Sequence, residues 1–432
     1  MKWLLCAATA LLASPAMAQH DGHGETAQAQ DHGAHQASSA PEPSGDLIVE
    51  HRLSGALGRY PISREASGTA WQPDASGGHG RHYVSGDWIL MGHAVLNGVY
   101  DWQQGPRGDE QVFISGMVMG VARTGFGNGR LQLRAMLSPE PLNGRRGYPL
   151  HLAAGETADG ATLLIDRQHP HDFFMELSAS YSRDIGGDAS LFVYAGLPGE
   201  PAFGPPAFMH RASIMASPEA PITHHWLDST HISFGVVTAG FVLGDLKIEG
   251  SRFNGREPDH RRWNIETAPL DSTAVRLSWN PNAHLALQAS WARLIAPEQL
   301  EPNETSTRWS ASAIYTGDIA MYTKWSVTLA WGNRDGAEAV ALEGAIAFDN
   351  WTIFGRAEIA ENDELTFAGG HHGPRYTVGK ASLGALREFE IGGGVRLGLG
   401  ALYAMNFVPS ALEALYAGDP DGAMLFIRLR IE

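Results

Sequence analysis

From about Arg81 onward, apolar and polar residues alternate in short segments separated by turn residues. Thr273, Val275, Leu277 and Trp279 share one face of an extended chain, with Ser272, Ala274, Arg276 and Ser278 on the other. The pattern repeats with Leu285, Leu287, Ala289 and Trp291 against His284, Gln288 and Ser290. It recurs with Ile319, Met321, Trp325, Val327, Leu329 and Trp331 against Tyr322, Lys324, Ser326 and Thr328, and with Trp351, Ile353 and Ile359 against Thr352, Arg356 and Glu358. A period of two is that of a strand whose two faces meet different surroundings. Tight turns are expected at Gly125 to Gly129, Gly186 to Asp188, Gly244-Asp245, Asn280 to Asn282, Gly317-Asp318, Asp349-Asn350 and Glu388 to Glu390. Between them lie longer links at Pro139 to His171, Pro198 to Ser229, Gly255 to Leu270, Ala296 to Glu304, Gly332 to Gly336, Glu361 to Pro374 and Phe407 to Pro420. A first strand near Arg81 to Tyr100 and a last at Ala423 to Ile431 bring the expected count to about sixteen, within a range of roughly 14–16.

Turns that are short on one side and long on the other predict an all-β fold, a transmembrane antiparallel β-barrel with short periplasmic turns and long outer loops. The polar face carries isolated charges, among them Lys247, Glu249, Arg276, Lys324, Glu343, Arg356, Glu358, Arg396, Arg428 and Arg430, which suit a wet lumen. Trp88, Trp102, Trp226, Trp263, Trp279, Trp291, Trp309, Trp331 and Trp351 recur near segment ends, as aromatic girdles at the two membrane interfaces would. In these features residues 82–432 resemble Gram-negative outer-membrane β-barrel proteins, and the resemblance implies an outer-membrane location with lipid as a partner. The closing segment Met424 to Glu432 alternates as such a barrel requires but ends in Glu rather than an aromatic residue.

Residues 1–18 run from Lys2 through an apolar stretch to Ala16-Met17-Ala18, the form of a secretory signal peptide cleaved before Gln19. Cys6, the one cysteine, leaves with it, so the mature chain has no disulfide, thiolate metal site or cysteine nucleophile. Residues 19–45 are poor in large apolar side chains and rich in Ala, Gly, Gln, Ser and Pro, a composition that predicts a disordered periplasmic tail. His20 with His23 and His32 with His35 repeat the spacing His-x-x-His there, which lets two imidazoles reach one metal ion; a solvated spacer is the alternative. Residues 46–81 form a connecting segment without a clear pattern. A signal, a His-rich tail and a barrel together also resemble copper-resistance outer-membrane proteins.

Composition narrows the classes. A net charge of −16 leaves no basic surplus for nucleic acid. Glycine, 51 of 432 residues, exceeds the usual ~7%, and charged residues, at 18%, fall below the usual ~25%, which argues against helical bundles and coiled coils.

Two long links concentrate the candidate chemistry. The first holds Asp166-Arg167-Gln168-His169-Pro170-His171-Asp172; the second holds Met209-His210-Arg211 and then Thr223-His224-His225-Trp226-Leu227-Asp228-Ser229-Thr230-His231. Both emerge on the long-loop side and flank one hairpin, so the clusters can meet. His169, His171, His210, His224, His225 and His231, with Asp172 and the carboxylates Asp166, Glu176 and Asp228, form a ligand set for Cu, Zn or Ni ions. The alternative is that these groups satisfy the backbone of loops folded into the lumen. Pro198, Pro201, Pro205, Pro206, Pro218 and Pro221 make the second link a stiff plug or lid. His371-His372 is a further candidate. Ser213, Ser229 or Ser233 with a nearby His and Asp would make a hydrolase of phospholipase type, although Gly-x-Ser-x-Gly is absent, as are Walker, dinucleotide and His-Glu-x-x-His motifs.

The leading expectation is a non-enzymatic barrel that binds or passes transition-metal ions, or a loop-constricted channel, with periplasmic metal-handling proteins as candidate partners and no organic cofactor. A general porin-like small-solute channel with structural histidines and a surface hydrolase are the alternatives.

Overall fold

The computed structural model describes residues 54–78, 80–366 and 372–432. The expected signal peptide and the tail histidines His20, His23, His32 and His35 lie outside the described residues. In chain order the strands are β1 (Arg81–Ser85), β2 (Trp88–Gln103), β3 (Glu110–Phe126), β4 (Gly129–Leu137), β5 (Tyr148–Thr157), β6 (Leu163–Gln168), β7 (Phe174–Gly186), β8 (Ala189–Gly196), β9 (Val236–Leu243) and β10 (Leu246–Phe253). They continue as β11 (Ser272–Asn282), β12 (Leu285–Ile295), β13 (Thr305–Ala320), β14 (Thr323–Arg334), β15 (Ala337–Phe348), β16 (Trp351–Asn362), β17 (Tyr376–Gly392), β18 (Val395–Phe407) and β19 (Asp421–Ile431). Strands β2 to β4 and β7 to β19 form a closed antiparallel barrel of sixteen strands, sealed where β19 pairs with β2 from Ile431 opposite Ala94 to Gly422 opposite Gln103. Strand β1 folds back on β2 from Arg81 opposite Gly92 to Ser85 opposite Trp88, extending the seam past the end of β19. Strands β5 and β6 form a separate hairpin inside the first long link.

Four of the expected tight turns, at Gly125 to Gly129, Gly186 to Asp188, Gly244-Asp245 and Asp349-Asn350, join neighbouring strands; the other three fall inside β11, β13 and β17, which run on to turns at residues 283–284, 321–322 and 393–394. One expected long link does not exist: β14 runs on to Arg334, and Asp335 and Gly336, at φ 51° and 83°, close a two-residue hairpin into β15. Positive φ at both central residues matches the right-handed twist of the strands, which is why such a turn needs no further chain.

Outward positions are apolar and exposed, as at Val275, Leu277 and Trp279 or Leu425 and Ile427, while the alternate positions are buried. Only a closed barrel leaves no backbone polar group open to lipid, and this one carries its apolar face outward. It is an outer-membrane β-barrel of the Gram-negative kind. Among the described residues no helix is long and apolar enough to cross a membrane. Trp88, Trp102, Trp279, Trp309, Trp331 and Trp351 are exposed on the wall; Trp226 instead is 1% exposed, buried in a loop inside the barrel, and Trp263 stacks on Phe173 in a long loop.

Protein segments fill much of the lumen. Residues 197–235, between β8 and β9, fold inward as a plug instead of forming an outer rim, because the wall supplies charged partners for their backbone. Arg276 donates to the carbonyl of Gly204 (3.0 Å), Arg308 to that of His225 (3.1 Å), Arg356 to that of Glu219 (2.9 Å) and Arg428 to that of Met215 (3.1 Å). Buried carbonyls need donors, and a ring of guanidinium groups provides them without water. From the short-turn end, residues 54–78 enter the lumen. Arg64 binds Asp74 and Asp245, Lys247 donates to Thr69, Asn280 to Gln72 and Lys324 to Ala75.

Arg211 is the deepest tie between plug and wall, with its guanidinium 2.7 Å from Asp228 and 2.6 Å from Glu343 on β15, all three buried. Replacing Arg211 with Met leaves buried Asp228 without its guanidinium and Glu343 with only Arg356 at 3.9 Å, a loss of about 3–5 kcal/mol in plug docking. The variant is expected to keep its mobility shift on boiling, since strand pairing is untouched. Its conductance in a planar bilayer should rise several-fold, and unchanged conductance would show that other contacts suffice.

Candidate metal centre

Three long links assemble the site. The β5–β6 hairpin delivers His169 and His171, and the backbone N–H of His171 donates to Glu140 Oε2 at 2.9 Å. The plug delivers the rest from a single turn, α1 (His224–Leu227), followed by a 3-10 turn at Ser229–His231. This turn is fixed on the wall: Thr223 donates to Glu358, Trp226 donates to Ala337 O (3.2 Å), and Arg334 lies over the Trp226 ring at 4.8 Å. Gly332 on β14 makes the approach possible, since a Cβ there would fall 2.4 Å from the Trp226 carbonyl oxygen. Arg262, from the loop between β10 and β11, bonds Glu156 and Asp172 and joins the third loop to the site.

Five imidazoles meet inside the barrel. Ring centroids are 6.1 Å apart for His169 and His225, 6.2 Å for His169 and His224, 5.7 Å for His224 and His225, 5.2 Å for His224 and His231, and 5.2 Å for His171 and His231. Each ring has an oxygen close to one nitrogen. His224 Nδ1 lies 2.8 Å from Asp228, His231 Nδ1 2.7 Å from the Asp228 carbonyl, and His171 Nδ1 2.9 Å from Glu140. His225 Nδ1 lies 3.4 Å from Glu257 and His169 Nε2 3.2 Å from Glu156. His231 Nε2 and His171 Nε2 are buried without a hydrogen-bond partner, and His171 Nδ1 and His225 Nδ1 lie near their carboxylates without making a hydrogen bond. An acceptor on one ring nitrogen fixes the tautomer and turns the other lone pair toward an ion. The ring spacings are wider than a closed ligand shell, so an ion would draw the side chains together through rotamer changes.

The electrostatics divide the five. Burial pushes His169, His224 and His231 below the ordinary imidazole value, which keeps them neutral. Burial acts the same way on His171 and His225, but Glu140 and Glu257 outweigh it and raise both. Burial lifts Glu156 to about 7 against the pull of Arg262. Asp228 goes the other way: Arg211 and His224 overcome its burial and hold it well below the usual carboxylate range.

Toward the long-loop end the cluster continues into carboxylates. Glu298, Glu301 and His372 offer ligand atoms within 4.8 Å of one another, as do Asp363, Glu364 and His372. A Cβ on Gly155, whose φ is +114°, would meet both His225 Nε2 (3.0 Å) and Glu364 Oε2 (3.3 Å), so the two groups are adjacent. His371 lies outside the described residues.

The structure brings His169, His171, His224, His225 and His231 together with Asp228, which holds His224 and His231, and places His210, Asp166 and Glu176 elsewhere. His210 lines a separate cavity with Met209. Asp172 is held by Arg262 (3.0 Å), Asp166 by Arg107 (2.6 Å) and the Tyr416 hydroxyl, and Glu176 by Ser178 and Tyr194. Glu140, Glu156, Glu257, Glu298 and Glu364 were not singled out by the sequence, because they carry no local spacing with a histidine. The hydroxyls of the three candidate serines have other partners: Ser213 bonds Thr328 and Glu343, Ser229 accepts from Arg308, and Ser233 donates to Thr230 O.

The lowered imidazoles make the metal-free protein acid-sensitive. The unfolded chain protonates these rings near ~6.5, whereas the fold resists protonation. Their contribution is complete above that value and is lost as the pH falls from there through the folded values. The raised His171, His225 and Glu156 act in the opposite sense over the same range, so the test is comparative: from pH 7 to pH 5, chelator-treated His231→Gln in detergent should lose less melting temperature than the wild type.

No family model matches the sequence, and no curated protein does. Among solved structures, Salmonella typhi OmpF in complex with daunomycin is similar with a TM-score of 0.50 at 10% identity, over 81% of this chain and 100% of that one. Vibrio cholerae OmpT gives 0.44 at 8% over 81% and 100%, and a triple mutant of the Rhodopseudomonas blastica porin 0.40 at 12% over 79% and 100%. The likeness to OmpF is one of fold, an outer-membrane barrel of the porin type.

Proposed function

We propose that this channel-type outer-membrane barrel binds a borderline divalent transition metal, Zn, Ni or Cu(II), at the five-histidine cluster and passes it through the plug. The observation that carries the reading is the cluster itself: five buried imidazoles, each with an oxygen close to one nitrogen, and with His231 Nε2, His225 Nδ1 and both nitrogens of His171 making no hydrogen bond. Purely structural histidines would spend both nitrogens on the loops. The carboxylates around His372 supply an entry that attracts cations and begins to strip their water. Periplasmic metal-handling proteins are the partners this reading requires.

The porin-like fold favours a second reading, a small-solute channel in which the histidines only brace the plug. Proteoliposomes separate the two. With the first, Zn(II) entry reported by an internal dye falls at least tenfold in His224→Ala/His231→Ala, and Glu140→Gln, which frees His171 Nδ1, weakens Zn(II) binding by about 10–100-fold. Equal sugar permeation in wild type and variants, with no Zn(II) retention by either, would favour the second.

A further inference from the structure

Five imidazoles and the carboxylates beside them are more donors than one ion uses, since Zn(II) takes about four. The cluster divides by the oxygens that face its rings. His224 and His231 are both held by Asp228, and the His171 ring lies 5.2 Å from that of His231. His169 and His225 face other carboxylates, Glu156 at 3.2 Å and Glu257 at 3.4 Å, with their rings 6.1 Å apart. These four residues come from three links: Glu156 and His169 from the one between β4 and β7, His225 from the plug, and Glu257 from the one between β10 and β11.

Glu257 is the informative member. Its side chain is 6% exposed, and neither carboxylate oxygen accepts a hydrogen bond. The cationic groups beside it, His225 Nδ1 at 3.4 Å and Arg308 at 4.0 Å, both face Oε1 and leave Oε2 without a partner. Its backbone is anchored all the same, the N–H donating to the Pro297 carbonyl at 2.9 Å. A carboxylate sealed from water without a hydrogen bond is strongly disfavoured until a cation completes its surroundings. The nearby arginines are committed elsewhere: Arg262 is shared between Glu156 and Asp172, and Arg334 among Glu298, Asp363 and Glu364. Burial lifts the Glu156 carboxyl and the charge of Glu257 lifts it further, so the two acids act on one another across the site. Gly155, at φ +114°, leaves open the space where a Cβ would fall 3.0 Å from His225 Nε2 and 3.3 Å from Glu364 Oε2.

We propose that His169, His225, Glu156 and Glu257 form a second metal site, so that the cluster holds two divalent ions at once, one on this mixed set and one on His171, His224 and His231. The inference rests on the reading of the cluster as a divalent-metal site. Through Glu364 the mixed site adjoins the carboxylates around His372, so it is the first that an ion from the long-loop end meets. Two ions side by side repel, and each new arrival then displaces the one ahead of it into the plug.

The test counts Zn(II) tightly bound to full-length, chelator-stripped protein in detergent, by calorimetry and elemental analysis, as differences from the wild type. Glu156→Gln/Glu257→Gln, which keeps side-chain shape, is expected to bind one equivalent fewer. His171→Ala/His231→Ala should also bind one fewer, and the combined variant two fewer, all with the mobility shift on boiling intact. Should the double Gln variant lose that shift, Glu257→Gln alone should weaken one equivalent about tenfold or more, and unchanged binding in it would overturn the proposal. X-ray absorption at the zinc edge of the His171/His231 variant should show oxygen beside nitrogen around the ion that remains in the cluster. A combined variant that loses one equivalent in total, or a Gln variant that loses none while the alanine variant loses one, would overturn the second site and leave the cluster a one-ion site. Loss in none of the variants would overturn this inference and the divalent reading together.

Discussion

A single buried guanidinium connects the wall, the plug and the histidines. Arg211 binds Glu343 on the wall and Asp228 in the plug, and the carboxylate and carbonyl of Asp228 in turn hold His224 and His231. Buried as they are, each of these charges is affordable only because the others are in place. Fixing the plug and setting two imidazole tautomers are therefore one act, and a disturbance at Glu343 reaches the site through two hydrogen bonds rather than through bulk rearrangement.

The barrel was readable because strand alternation and turn chemistry are local properties. Val275, Leu277 and Trp279 face lipid as their spacing requires, and the turn at Asp349-Asn350 falls where the pattern breaks. What the lumen contains was less readable, since Arg276 or Arg356 would have the same pattern facing water as facing a carbonyl. Trp226 shows the same limit, because a tryptophan beside a strand reads as a girdle residue until the direction of its loop is known. The meeting of the histidines could be anticipated from two links on one rim flanking one hairpin. Their carboxylate partners could not, because Glu140, Glu156 and Glu257 reach the cluster from different turns of the chain. Met91 on β2 and Met117 and Met119 on β3 were legible as lumenal positions, and only the register between strands shows how they lie across from one another.

Charge is paired along the interior, with Arg276 3.0 Å from Glu249, Arg356 3.0 Å from Glu358 and Arg334 2.6 Å from Glu364. Guanidinium groups from the wall grip the plug's carbonyls, while carboxylates gather around His372 and His225 on the long-loop side.

The position of residues 54–78 dictates an order of assembly. They lie inside the lumen, yet they precede every strand of the wall, and the pairing that completes the cylinder joins its first long strand to its last. That junction spans most of the sequence, the kind of distant contact that forms late. The amino-terminal segment and the plug must be enclosed while the cylinder is still open, so the wall is built around its contents and neither piece is threaded in afterwards.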